Sequence, residues 1–183
     1  VLYFLRDLVK LQTPEDKVFS RLRAGDEVLL TGEIFTARDQ AHKRLAALIK
    51  KGAKLPFDLK GQIIYYCGPT RTPPGKTIGS CGPTTSARMD KMTKPLLACG
   101  LKGMIGKGRR SEEVRGLIKK HKAVYFLATG GAGAFLSKRV LSVKPVCFKE
   151  LGPEAVYKVS VKDFPLIVGI DSRGTDIFKR GRS

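Results

Sequence analysis

The clearest periodicity in the chain begins at Asp39, after which Ala41, Leu45, Leu48 and Ile49 recur at offsets of four, three and one. That apolar stripe predicts a helix ending at Gly52. Elsewhere, short β-prone runs bounded by turn residues predict strands. Residues 27–31 follow the turn Arg23-Ala24-Gly25-Asp26, residues 62–66 lie between Gly61 and Gly68, and residues 123–128 read as a buried strand. Shorter strands are expected at 103–105, near Val146 and at 166–170, and a loop at 32–37. Ser111-Glu112-Glu113 opens a helix to about His121, with acids in its first turn and bases in its last. Thr84, Thr85 or Ser86 can cap another helix running through Ala87, Met89 and Met92, and a short helix is expected after Pro153. The first twenty residues have no clear period. Strands alternating with helices imply an α/β layered fold.

Between the second strand and the capped helix, residues 68–83 hold four glycines and three prolines besides Pro83. Such a stretch cannot continue a helix or a central strand, and ordered loops of this length are usually functional. With 183 residues, 42% of them hydrophobic, the chain suffices for one buried core and is short for two. A single compact domain over 1–183 is therefore expected, with a short extension over about 1–22 and a basic tail over about 179–183. No apolar stretch approaches the roughly 18 to 20 residues of a membrane span, and the apolar start is broken by Arg6, Asp7 and Lys10. A soluble, cytoplasmic chain without a secretion signal is the expectation, and Val1 in place of a methionine points to a trimmed start.

The formal charge of +19 calls for an acidic partner, and nucleic acid heads that class. Yet the basic residues fall in short runs such as Lys43-Arg44, Lys50-Lys51, Arg109-Arg110 and Lys119-Lys120, with no helix-turn-helix, RNA-recognition or zinc-finger pattern. A nucleic-acid partner is thus disfavoured. A solvated basic surface, or one facing an acidic subunit and an anionic substrate, fits as well. Cys67, Cys81, Cys99 and Cys147 form no Cys-x-x-Cys pair, so neither a zinc site nor a ferredoxin-type run is expected. They read as reduced thiols: four cysteines allow three disulfide pairings, but nothing in a signal-free chain of this size calls for one.

Gly75-Lys76-Thr77 lacks the glycine that a phosphate loop needs at position 70, which is Thr70. Gly131-Ala132-Gly133 ends in Leu136 where a dinucleotide fingerprint requires Gly or Ala, and reads as a tight turn. A stronger cluster is Gly79-Ser80-Cys81-Gly82-Pro83-Thr84-Thr85-Ser86-Ala87-Arg88-Met89-Asp90, where hydroxyls, amides and a guanidinium meet at a loop-to-helix junction. Its residues suit a carboxylate pocket, or equally an ordinary capped helix with a surface arginine.

Residues 61–90, with Tyr66-Cys67-Gly68-Pro69-Thr70-Arg71 leading into that cluster, closely resemble the beta region of the class I iron-sulfur fumarate hydratase and tartrate dehydratase family. Thr36-Ala37-Arg38-Asp39-Gln40-Ala41-His42-Lys43-Arg44, Gly103-Met104-Ile105-Gly106-Lys107-Gly108 and the Gly-rich 129–134 resemble three more of its signatures, in family order over about 25–170. The resemblance implies a swivelling β/β/α domain closing over substrate held by a separate alpha subunit, which carries a four-iron, four-sulfur cluster. By motif position Arg38 and Arg88 would bind substrate carboxylates, Lys107 would support one of them, and Thr84, assisted by Thr85, would transfer a proton. An unassisted threonine is a poor base, so Thr84 would need a cation-rich site of low dielectric. Asp39 and His42 would orient Arg38, or serve as a helix N-cap and an exposed histidine. Cys81 would line the pocket without ligating the cluster, and no metal ligand is expected in this chain. The implied reaction is reversible hydration of fumarate to (S)-malate by a hetero-oligomer with the alpha subunit, a dimer of heterodimers being one arrangement. Tartrate dehydration is the runner-up, and a non-catalytic dicarboxylate-binding or nucleic-acid-binding module is the alternative of another class.

Overall fold

The computed structural model describes residues 8–13 and 16–179. Strands β1 (Val9–Gln12), β2 (Glu27–Thr36), β3 (Ile63–Tyr65), β4 (Gly103–Gly106), β5 (Val124–Leu127), β6 (Val140–Cys147) and β7 (Val156–Ile170) form one mixed sheet. Helices α1 (Asp16–Phe19), α2 (Asp39–Lys50), α3 (Asp90–Ala98), α4 (Glu112–His121) and α5 (Gly133–Ser137) connect them, with 3-10 turns at Ser86–Met89, Lys149–Glu154 and Ile177–Lys179. Strands β2 to β5 run parallel in sequence order. Strand β7 then pairs antiparallel with both β5 and β2, which closes the five into a barrel. Flanking it, β1 adds to β2 and β6 adds to β7.

Closure depends on two long strands bending together. The β2–β7 register shifts between Leu30 and Gly32, and opposite that point Asp163 has φ 48° while its N–H donates to Thr31 Oγ1 at 3.0 Å. A bulge of this kind increases twist and curls a sheet. Gly32 has φ +126°, and a Cβ there would lie 2.4 Å from Thr13 Oγ1, so only glycine fits the bend.

Because side chains alternate along a strand, the barrel separates two cores. Ile63, Tyr65, Ile105, Val124 and Phe126 point inward with Val159, Val161, Phe164 and Val168. Ile64, Tyr66, Met104 and Tyr125 point outward, under Leu45 of α2, Leu96 and Leu97 of α3, and Val114 and Ile118 of α4.

Several expectations change. Residues 32–37, read as a loop because Gly32 interrupts the run, are mostly the second half of β2, with Ile34 and Phe35 buried on opposite faces. Strand 166–170 starts ten residues earlier, at Val156. The helix expected after Pro153 is instead a 3-10 turn at Lys149–Glu154, kinked at Gly152. Helix α5 follows the Gly-rich turn. The aperiodic start supplies β1 and α1, whose Leu11 and Phe19 enter the inner core. Residues 1–7 of the expected extension and 180–183 of the basic tail lie outside the described residues. Among those described, no helix is long and apolar enough to cross a membrane.

Candidate functional site

The carboxyl ends of parallel strands are where α/β sheets place ligands, since loops and helix starts converge there. Here that end gathers Arg38 after β2, Gly68 after β3, Lys107 after β4 and the 129–133 turn after β5. Arg38 sits in extended conformation as the residue capping α2. A Cβ on Gly68 would come 3.0 Å from Arg38 Cδ and 3.1 Å from Pro153 O, so glycine lets the arginine stem lie across the backbone.

Asp39 joins two cations. Its Oδ2 lies 3.2 Å from Arg38 Nε and its Oδ1 2.9 Å from Arg88 Nε. Both guanidinium groups are engaged through Nε, and among the described residues their Nη groups make no hydrogen bond. Burial alone would raise the Asp39 pKa, but its own backbone N–H and the two guanidinium groups outweigh that and hold it below the usual carboxylate range. Glu154 adds a second carboxylate, 3.4 Å from Arg38 Nε, and accepts from Gln40 N at 2.8 Å at the start of α2. Nothing in the sequence pointed to Glu154, which reaches the site from 116 positions beyond Arg38 through the 3-10 turn.

His42 is fully buried, against the exposed-histidine alternative. Its Nδ1 lies 3.1 Å from Arg38 O, and because a carbonyl only accepts, Nδ1 carries the proton. The ring packs edge-on to Tyr66 at 5.1 Å, and Nε2 has no partner among the described residues. Burial, reinforced by nearby Arg110, drives its pKa down to about 4, so the ring is neutral at pH 7.

Thr84, Thr85 and Lys107 are joined through the backbone. Thr84 N donates to Tyr66 O at 2.7 Å, Lys107 N to Thr84 O at 3.3 Å, and Ser86 N to Lys107 O at 2.9 Å. Thr84 is half-buried and Thr85 exposed, and neither hydroxyl makes a hydrogen bond within the described residues. The Lys107 stem passes Gly130, and its exposed ammonium has no ion pair among the described residues. Arg88, in the same 3-10 turn as Ser86, completes the group. The structure describes no side-chain cap for that turn, so the expected hydroxyl cap is absent there.

Cys81 lies in the inner core, its Sγ 3.9 Å from Gly133 O and its carbonyl accepting from the Tyr65 hydroxyl. The neighbouring Cys81 thiol, together with burial, pushes the Cys67 thiol well up. All four cysteines are free. Two are locked in the inner core, and among the described residues no three His, Cys, Asp or Glu side chains come together to hold a metal. These residues do not fit an iron-sulfur cluster.

Behind the site is a group the sequence reading passed over as part of a basic run. The Arg110 side chain is 0% exposed and pairs with Asp90, Nε to Oδ1 2.6 Å. Its Nη2 donates to Thr93 Oγ1 at 2.8 Å and its Nη1 to Tyr66 Oη at 3.3 Å. Burying such a pair costs several kcal/mol in desolvation, which full hydrogen bonding offsets.

A separate groove of about 590 Å³ lies between the 70–80 loop and α5, flanked by Lys76, Ser80 and Lys138. It includes none of Arg38, Arg88 or Lys107. The cation cluster is the better candidate, because its guanidinium groups are fixed by carboxylates while their paired donors stay open. Two such forks, an ammonium and two hydroxyls suit a small dianion.

The Fumarase C-terminus family model matches residues 6–181. Fumarate hydratase 2 of Leishmania major is 38% identical over 177 residues, covering 94% of this chain and 31% of that protein. The anaerobic class I fumarate hydratase of Escherichia coli (strain K12) is 37% identical over 177 residues, with 94% and 32% covered. The chain thus spans about a third of the length of these relatives. A putative L(+)-tartrate dehydratase subunit beta of Methanocaldococcus jannaschii is 40% identical over 169 residues, covering 89% of this chain and 87% of that subunit.

Proposed function

Since the chain belongs to the Fumarase C-terminus family, we propose that it is the beta half of a class I fumarate hydratase, active only with an iron-sulfur alpha subunit. The observation that carries this reading is the shared Asp39 carboxylate, which aligns Arg38 and Arg88 while their Nη forks stay open. Two forks held at fixed separation bind a dicarboxylate and reject monoacids, since one fork would otherwise remain unpaired. Lys107 supports one carboxylate, and Thr84, with Thr85 beside it, moves the proton at the carbon next to it. Lys107 N–H donates to the Thr84 carbonyl, which ties the backbone presenting that hydroxyl to the backbone presenting the ammonium. Asp39 and His42 orient Arg38, and Cys81 supports the loop that enters the site.

On this reading the alpha subunit would hold the four-iron, four-sulfur cluster, which would supply Lewis-acid chemistry at the substrate hydroxyl. The residues of this chain bind, orient and exclude water as the domain swivels closed. The assembly is a cytoplasmic hetero-oligomer, a dimer of heterodimers being one arrangement. The similarity to a putative L(+)-tartrate dehydratase subunit beta keeps tartrate as the second substrate reading.

The test is anaerobic reconstitution with the alpha subunit, following fumarate absorbance and tartrate loss separately for wild type and Arg88→Ala. Fumarate turnover abolished by Arg88→Ala is the expected result. Turnover of tartrate alone would move the substrate, and a well-formed complex inert toward both would overturn the hydro-lyase reading.

A further inference from the structure

We propose that Arg110 is a positioning residue of this site: through its ion pair with Asp90 it fixes the turn that carries Arg88 against the segment that carries Lys107. The proposal deepens the reading above and rests on that site being carboxylate-binding.

The guanidinium grips the Arg88 turn at two points. Asp90, two residues after Arg88, takes Arg110 Nε on Oδ1 at 2.6 Å and Ser111 N on Oδ2 at 2.8 Å. One turn further on, Thr93 Oγ1 accepts from Nη2 at 2.8 Å and donates to Met89 O at 3.0 Å. Arg110 itself stands three residues after Lys107, on the same segment.

A second chain of contacts closes the loop between these parts. Tyr125 Oη lies 2.8 Å from Gly108 O and 2.9 Å from Ser86 Oγ. A phenol has one proton and a carbonyl cannot donate, so Tyr125 donates to Gly108 and Ser86 donates to Tyr125. The Arg110 guanidinium lies over the rings of Tyr125 and Tyr66 at 5.2 Å and 5.5 Å. Gly106 leaves the room for this, since a Cβ there would lie 2.0 Å from Ser86 Oγ. Asp90 thus follows Arg88 by two residues, Thr93 bonds back to Met89 O of the Arg88 turn, and Tyr66 O accepts from Thr84 N. With its side chain 0% exposed, Arg110 reaches substrate only through them. A lysine keeps the charge but, as a point donor on a flexible stem, cannot hold Asp90, Thr93 and Tyr66 at once.

Amide hydrogen exchange of the full chain tests the role, with Arg110→Lys set against Leu22→Ala, a cavity in the inner core away from the site. In Arg110→Lys the Ser86 and Lys107 amides are expected to exchange roughly tenfold faster while the β2–β7 amides keep their protection. Leu22→Ala is expected to do the opposite. In the complex with the alpha subunit, Arg110→Lys then raises KM for the dicarboxylate roughly tenfold with a smaller change in kcat, and Leu22→Ala leaves KM alone. Asp90→Asn carries the same forecast should Arg110→Lys fail to fold. Wild-type exchange at Ser86 and Lys107, or uniform loosening of the chain, would overturn the proposal. A wild-type complex inert toward fumarate and tartrate would remove the hydratase reading instead, and the exchange pattern would still decide whether Arg110 positions these segments.

Discussion

On the inner face of β3, β4 and β5, Ile63, Ile105 and Phe126 pack into the barrel core, whereas on the outer face Met104 of β4, Tyr125 of β5 and Tyr66, the residue after β3, surround the buried Arg110. The inner core is non-directional and holds the barrel by area removed from water. The outer core includes a charged fork whose geometry is set by partners on the site's own segments. A hydrophobic interior gives stability, and a fully bonded ion pair gives fixed direction at the cost of desolvation. The difference predicts that stability and site geometry can be separated by choosing the face.

The largest effect on stability is expected inside the barrel. Phe126→Ala should cost about 3–5 kcal/mol by denaturant unfolding, and among molecules that remain folded the exchange of the Ser86 amide should be unchanged. Arg110→Met should cost about 3 kcal/mol, because Asp90 is left as an unpaired charge at 13% side-chain exposure. Replacing both partners, Arg110→Met with Asp90→Leu, sharpens the contrast: stability should return to within about 1–2 kcal/mol of wild type, while the protection at Ser86 and Lys107 should not. Full recovery of both would show that the pair is only packing.

A smaller, pH-dependent effect belongs to His42. Its folded pKa is lowered from 6.5 to about 4 by burial, with Arg110 lowering it further and the Arg38 carbonyl and Asp39 opposing. The unfolded chain therefore takes up a proton that the folded chain refuses. The stability from this group is fully present above pH 6.5 and is lost as pH falls toward 4, on the order of 3 kcal/mol in all. Urea unfolding across that range should show the slope in wild type and not in His42→Asn, whose amide can replace the donor to Arg38 O. Parallel slopes would mean that the ring is not held neutral.

What could be read in advance divides along the same faces. Helix α2 was legible because Ala41 and Leu45 face the outer core with helical spacing, and α4 because Ser111 caps Val114 N as its sequence requires. The second half of β2 was not, because Gly32 looks like a terminator in sequence and is a bulge in the sheet. The start of β7 was hidden because β-strand alternation between two cores makes Val156 and Val159 belong to opposite faces. Arg38, Arg88 and Asp39 were named from motifs, and their contact at one carboxylate is a fact of the fold. Glu154 and Arg110 had no local signal. Their roles arise where distant segments meet, and a basic pair such as Arg109-Arg110 reads as solvated surface until the tyrosines are seen to enclose one member.

The central claim is a split site, in which this chain supplies half of the contacts to a dicarboxylate. It is tested most directly by calorimetric titration of malate into the isolated chain and into the anaerobic complex with the alpha subunit. At least about tenfold tighter binding by the complex is predicted, since a partner that adds contacts worth 1.4 kcal/mol changes affinity by that factor. Equal or tighter binding by the isolated chain would contradict the account and make it a self-sufficient binding module.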